Sequence, residues 1–387
     1  MSDLSAISGA RIFDGENWFD DAALLIEFGY VTGIVAKADI PDHAERVVLD
    51  GGMIVPGFVD LQVNGGGGVL FNNAPTLDSI RTICNAHAQF GTTALLPTLI
   101  TDTAEINIQA IAAGVAAADH RVPGFIGLHL EGPHLALARK GTHDPSLIRP
   151  MDETDLERLC AAAETLPNLL CTVAAETVPP AQIARLAASG AVVSIGHSDA
   201  GYDQTMAAFE AGASMATHLF NAMSQLGNRE PGVVGAVLDS KSVNAGLIAD
   251  GIHVHAASMG AALRAKQGPG HIFLVTDSMS QTGTDLRTIE LNGRTITRAD
   301  GALRLADGTL AGADLDMIDA VNFVIDRVGL APEEAFRMAA LYPARAIGAD
   351  DRLGHLRPSA EASFVHLSDD RHVQSAWIGG EKVWSLN

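Results

Sequence analysis

Apolar positions along this chain fall into two textures. Residues 4–55 carry short β-like pieces, Ala10-Arg11-Ile12-Phe13, Ala23-Leu24-Leu25-Ile26 and Tyr30-Val31-Thr32-Gly33-Ile34-Val35, parted by Gly and Asp turns. No helix-length period runs through them. The stretch 360–387 repeats that texture, with Ser363-Phe364-Val365-His366-Leu367 and Ala376-Trp377-Ile378-Gly379-Gly380. Between the two ends, strand-like runs alternate with helical stripes. The strand candidates are Ile54–Val63, Ala94–Ile100, Phe125–Glu131, Leu169–Ala175, Val192–His197, Ser214–His218, Asn244–Ala249 and His271–Asp277. Ile80, Ile83, Cys84, His87 and Phe90 form one stripe after a Thr76 cap, closed by Gly91, and Thr154-Asp155-Leu156-Glu157 reads as a capping box.

This alternation predicts an α/β fold: a (β/α)8 TIM barrel over residues 56–355, with a small β-sandwich domain built from 1–55 and 356–387. A doubly wound open sheet is the alternative. After the eighth strand, Thr288–Leu305 reads as a β-hairpin around Asn292-Gly293 and Asp300-Gly301. Met317, Ile318, Val321, Val324, Ile325 and Val328 then stripe a helix ending at Gly329.

Four of the strand candidates end on groups that do chemistry: Glu131, His197, His218 and Asp277. In parallel α/β proteins such ends line one rim. His197 and His218 lie one β/α unit apart, so neighbouring strands set them side by side. Two imidazoles and a carboxylate form the open three-ligand set of a catalytic metal site, and Asp277 is placed to take a proton from water. A lone strand-end His more often plays a structural part; the three groups together argue otherwise. The run Asn64-Gly65-Gly66-Gly67-Gly68 lacks phosphate-loop spacing and reads as a rim loop. His120, His255, His271 and His355 read as surface or structural.

A net charge of −21 argues against nucleic acid or an anionic membrane as partner. Any phosphorylated substrate needs a local cationic pocket, and Arg229 with His253 is the pair the sequence offers. No apolar run reaches the ~20 residues of a spanning helix. The opening Met1-Ser2-Asp3 does not read as a secretory signal, so a cytoplasmic location is expected. Cys84, Cys160 and Cys171 have no ligand spacing and read as reduced core thiols.

The motifs Pro56-Gly57-Phe58-Val59-Asp60, His129-Leu130-Glu131-Gly132-Pro133, Gly196-His197-Ser198, Thr217-His218-Leu219-Phe220-Asn221-Ala222-Met223, Asp250-Gly251-Ile252-His253 and Leu341-Tyr342-Pro343-Ala344-Arg345-Ala346 resemble the N-acetylglucosamine-6-phosphate deacetylases of the amidohydrolase superfamily. The resemblance implies hydrolysis of N-acetyl-D-glucosamine 6-phosphate to glucosamine 6-phosphate and acetate. It implies a divalent metal on Glu131, His197 and His218, zinc first and Fe2+, Co2+ or Mn2+ as alternatives, with Asp277 as acid and base. It implies substrate contacts at Gly141-Thr142-His143, Asn221, Ala222, Arg229, His253 and Leu310-Ala311-Gly312, and a homodimer in which Arg229 serves its own or the neighbouring site.

Two departures change the picture. Many superfamily members carry His-x-His on strand one, where this chain has Gln62-Val63-Asn64, and strand four offers no lysine. Both point to one metal, with Gln62 and Asn64 behind it. His134 also stands where an aromatic is often found. A related amidohydrolase acting on another N-acetylated amino sugar phosphate or a cyclic amide, and a catalytically dead sugar-phosphate sensor, are the competing readings.

Overall fold

The computed structural model describes residues 4–386. Its centre is an eight-stranded parallel sheet whose strands pair in chain order. They are Phe58–Val63, Thr92–Ile100, Leu128–Glu131, Leu169–Val173, Val192–Ile195, Met215–Ala216, Asn244–Ile248 and Ile272–Val275. The first and last strands meet. Asp277 N donates to Gln62 O at 2.9 Å, and Asn64 N donates to Ser278 O at 2.9 Å. The Thr276 hydroxyl donates to the Asp60 carboxylate at 2.6 Å. The sheet is therefore a closed barrel, and the open-sheet alternative falls away. Helices such as Leu77–Ala88, Ala104–Asp119 and Glu153–Thr165 lie between successive strands. Among the described residues, no helix is long and apolar enough to cross a membrane.

Backbone details trim several expected elements. The run Ile54–Val63 is two strands. Met53–Pro56 pairs antiparallel with Phe364–Leu367, and Phe58–Val63 enters the barrel. Gly57 is the break, since a Cβ there would lie 2.0 Å from the Thr93 hydroxyl. Thr76 does cap the first helix. The box at the third opens at Asp152 rather than Thr154, Asp152 and Asp155 exchanging side-chain and backbone bonds. The stripe from Met317 to Val328 is α-helical to Phe323 and then π-helical, stopped by Gly329 at φ 83°.

The terminal stretches build two further sheets, one of four strands and one of six. The six-stranded sheet draws Arg11–Phe13 and Met53–Pro56 from one end and Phe364–Leu367 and Val373–Ile378 from the other. Ile7, Leu24, Ile54, Leu356, Phe364 and Trp377 form the core between them. The expected hairpin is the start of a four-stranded sheet, Thr288–Leu291, Arg294–Ala299, Ala302–Arg304 and Leu310–Ala313. Its first two turns fall at Asn292-Gly293 and Asp300-Gly301, all four residues at positive φ. Its last strand returns to the barrel mouth, where Ala313 N donates to Asp277 O at 2.8 Å.

The segment between Glu131 and the third helix is tied down by an ionic cluster around the buried Asp155 carboxylate. Arg149 meets both carboxylate oxygens of Asp155, and Arg158 adds a third contact at 3.0 Å. His134 Nε2 lies 3.8 Å from Asp155, and its Nδ1 lies 3.1 Å from the Arg149 carbonyl. Burial pushes the Asp155 carboxyl up, but the hydrogen bond from Arg149 and the neighbouring charges outweigh it and hold it well below the usual range. His134 is therefore part of this anchor. Replacing Asp155 with Ala leaves Arg158 without this partner and Arg149 with only the more distant Asp152, which should cost about 1–2 kcal/mol given the partial exposure of both guanidinium groups. Denaturant melts at pH 7 of the variant and the parent check this.

Candidate metal and active site

The C-terminal rim of the barrel opens into a cavity of about 500 Å³. Glu131, His197, His218 and Asp277 all reach it. At the last three the backbone leaves its strand through the left-handed region, at φ 48°, 29° and 51°. Such conformations cost roughly 1–3 kcal/mol each in non-glycine residues and persist only where neighbouring structure enforces them.

Three ligand atoms form a near-equilateral triangle. His197 Nε2 and His218 Nε2 each lie 3.2 Å from Glu131 Oε1 and 3.1 Å from one another. A tetrahedral ion with bonds of about 2.0–2.1 Å holds its ligand atoms roughly 3.3–3.4 Å apart. The triangle is the right size for one. His143 adds a fourth group, its Nε2 3.9 Å from Glu131 Oε2 and its ring 4.3 Å from that of His197. Either Glu131/His197/His218 or Glu131/His143/His197 is close enough to hold an ion by distance.

Tautomers separate the two sets. His197 Nδ1 lies 2.8 Å from the Arg139 carbonyl, so it carries a proton, and Nε2 is the nitrogen left to hold an ion. His143 is the reverse. Its Nδ1 accepts from Thr101 N–H at 3.3 Å and lies 2.7 Å from the Thr101 hydroxyl. Its proton therefore sits on Nε2 as a donor facing the cavity. Burial, then the His197 imidazole beside it, hold His143 well below the usual histidine range, so the ring is neutral.

The electrostatics suit a cation. Burial pushes Glu131 up, but hydrogen bonds and charge from His197 and His218 outweigh it and hold the carboxyl well below its usual range. Burial lowers His218, and Glu131 more than reverses that. Asp277 is pushed up to about 6 by burial and by the Glu131 charge. Gln62 and Asn64 face the two carboxylates as donors. Gln62 Nε2 lies 3.1 Å from Glu131 Oε1 and 3.2 Å from Asp277 Oδ1, and Asn64 Nδ2 lies 2.7 Å from Asp277 Oδ1. Amides turned this way orient carboxylates.

The other expected contacts divide. Thr142, Asn221, Ala222, His253, Leu310 and Gly312 line the cavity. The Thr142 hydroxyl is buried without a protein partner, and His253 Nδ1 is held by Asp250 at 2.6 Å. Ala311 and Arg229 do not line it: Ala311 turns into the core against Met279 and Ile289, and Arg229 is exposed on the loop before Gly232–Asp239. Arg139 and Arg304 line the wall instead. Arg139 is paired with Asp199 at 2.7 Å, and the Arg304 guanidinium donates to Gly308 O at 3.0 Å. Neither was visible in the sequence, because each reaches the wall from a loop or insert whose path no periodicity encodes.

The sequence profile of the amidohydrolase family matches residues 53–383. The chain belongs to that family. This amidohydrolase is 43% identical over 379 residues to the N-acetylgalactosamine-6-phosphate deacetylase of Shewanella sp. (strain ANA-3), covering 97% of this chain and 95% of that protein. It is 34% identical to the N-acetylglucosamine-6-phosphate deacetylase of Haemophilus influenzae, covering 95% of each. Among solved structures, the N-acetylglucosamine-6-phosphate deacetylase of Pasteurella multocida superposes with a TM-score of 0.94 at 33% identity, over 98% of this chain and 99% of that one. A mutant of the Mycobacterium smegmatis enzyme, in complex with N-acetyl-D-glucosamine-6-phosphate, gives 0.89 at 33% identity over 98% and 100%.

A binding experiment decides between the two ligand sets. His218→Ala should bind the metal at least about a hundredfold more weakly than the parent, since a whole ligand is lost, whereas His143→Ala should bind it nearly as well. Equilibrium dialysis with metal analysis reads both.

Proposed function

We propose that this chain hydrolyses the acetamide of N-acetyl-D-glucosamine 6-phosphate to D-glucosamine 6-phosphate and acetate, as a cytoplasmic step of amino-sugar catabolism or cell-wall recycling. The observation that carries the reading is the Glu131/His197/His218 triangle, linked through Gln62 to a second carboxylate, Asp277, at the floor of the cavity. The names of the relatives at 31–43% identity support the substrate class.

In this reading Glu131, His197 and His218 hold one divalent metal per chain, zinc before Fe2+, Co2+ or Mn2+. When bound, such an ion acidifies water and polarises a carbonyl. Asp277, ionised and oriented by Asn64 and Gln62, takes the proton of the attacking water and returns it to the departing amine. His143, with its proton on Nε2, donates to the developing oxyanion or to a sugar hydroxyl. Thr142, Asn221 and Ala222 hold the sugar, with Leu310 and Gly312 opposite. His253 faces the phosphate. Arg229 lies outside the cavity of its own chain, so here it completes the neighbouring site of a homodimer. The relative at 43% identity favours a second reading in which the C4 epimer, N-acetyl-D-galactosamine 6-phosphate, is taken as well.

Asp277→Asn keeps size and removes the base, so kcat should fall about 10²–10⁴-fold with metal content unchanged. Near-parent turnover would refute the assignment. Because the carboxyl is raised and works ionised, kcat/KM should decline as pH falls through about 6, or lower where a bound cation offsets the push from burial. An acid limb above neutral pH would contradict this. Arg229→Ala should cost roughly ten- to a hundredfold in kcat/KM on the 6-phosphorylated sugar and little on N-acetylglucosamine itself. An equal loss on both would make Arg229 structural.

A further inference from the structure

A histidine that binds a metal through one ring nitrogen normally donates the other N–H to a carbonyl, carboxylate or water, which fixes its tautomer and its aim. His197 does this through the Arg139 carbonyl. His218 is only 4% exposed, yet its Nδ1 has no protein hydrogen-bond partner. A void of about 10 Å³ is lined by Gln62, His129, Thr217 and His218 with Gly246, and otherwise by apolar side chains such as Leu170 and Phe273. A single water needs roughly 10–15 Å³ and two to four polar neighbours.

Two of its polar lining residues, His129 and Thr217, belong to a chain of buried hydrogen bonds. His129 Nε2 meets the Thr172 hydroxyl at 2.7 Å, Thr172 meets Thr217 at 2.7 Å, and Thr217 meets Ser194 at 2.6 Å. Gly246 leaves the space open. A Cβ there would come no nearer than 3.3 Å to Val275 and 3.5 Å to His218 N.

We propose that this void is a one-water site, whose water accepts the Nδ1 proton of His218 and bonds onward to the polar groups lining it. The imidazole is thereby fixed with its Nε2 lone pair turned to the metal. The inference rests on Glu131, His197 and His218 being the metal set.

A high-resolution crystal structure of the metal-loaded protein should show one ordered water within hydrogen-bond distance of His218 Nδ1. A dry void, or a protein acceptor on Nδ1, would overturn the proposal. Two variants test it in solution. Gly246→Ala fills the void with a methyl group and should weaken metal binding about tenfold or more, measured against a competing chelator. Gly246→Ser supplies a hydroxyl in place of the water and should recover most of that loss. Equal loss in both variants, or none in either, would overturn it. If the parent protein takes up no metal, the reading of the triad itself fails; metal held above a dry void sinks only the water.

Discussion

Two carboxylates set deep in the barrel mouth, Glu131 and Asp277, share a single amide donor, Gln62. The rest of the site follows from that crowding. Like charges so close raise one another's proton affinity, and the two are pushed apart: Glu131 is held down by its imidazoles and Asp277 is pushed up to about 6. In the proposed function the first stays ionised as a ligand while the second exchanges protons with water.

The barrel enforces this arrangement at its seam. Gln62 belongs to the first strand and Asp277 follows the eighth, so the bonds that close the sheet also set the two side chains in register. Left-handed backbone at His197, His218 and Asp277 turns each side chain off its strand. The hydroxyls of Thr172, Thr217 and Ser194 meet across strands four to six and tie those strands together near the candidate ligands.

Much of this was legible in the sequence, for a physical reason. A buried parallel strand is a continuous apolar run, so a Glu, His or Asp at its end stands out, and closure of the barrel brings those ends together. The motif resemblance and the strand ends converged on Glu131, His197, His218 and Asp277. What escaped depended on backbone paths. Gly57 splits one apolar run between two sheets because the Thr93 side chain leaves no room for a Cβ. Ala311 faces the core because side chains alternate along Leu310–Ala313. Arg139 serves the site through its carbonyl, which no side-chain pattern could announce. The tautomer of His143 follows from Thr101, forty-two residues earlier in sequence.

The central claim is that a metal held by these residues drives deacetylation of a phosphorylated amino sugar. Acetate release from N-acetyl-D-glucosamine 6-phosphate tests it most directly, measured on the protein as purified, after chelation, and after restoring one equivalent of zinc. The account predicts acetate and free primary amine in equal amounts, lost on chelation and regained with the single equivalent. Tight binding of the sugar phosphate with no acetate released in any of the three states would contradict it.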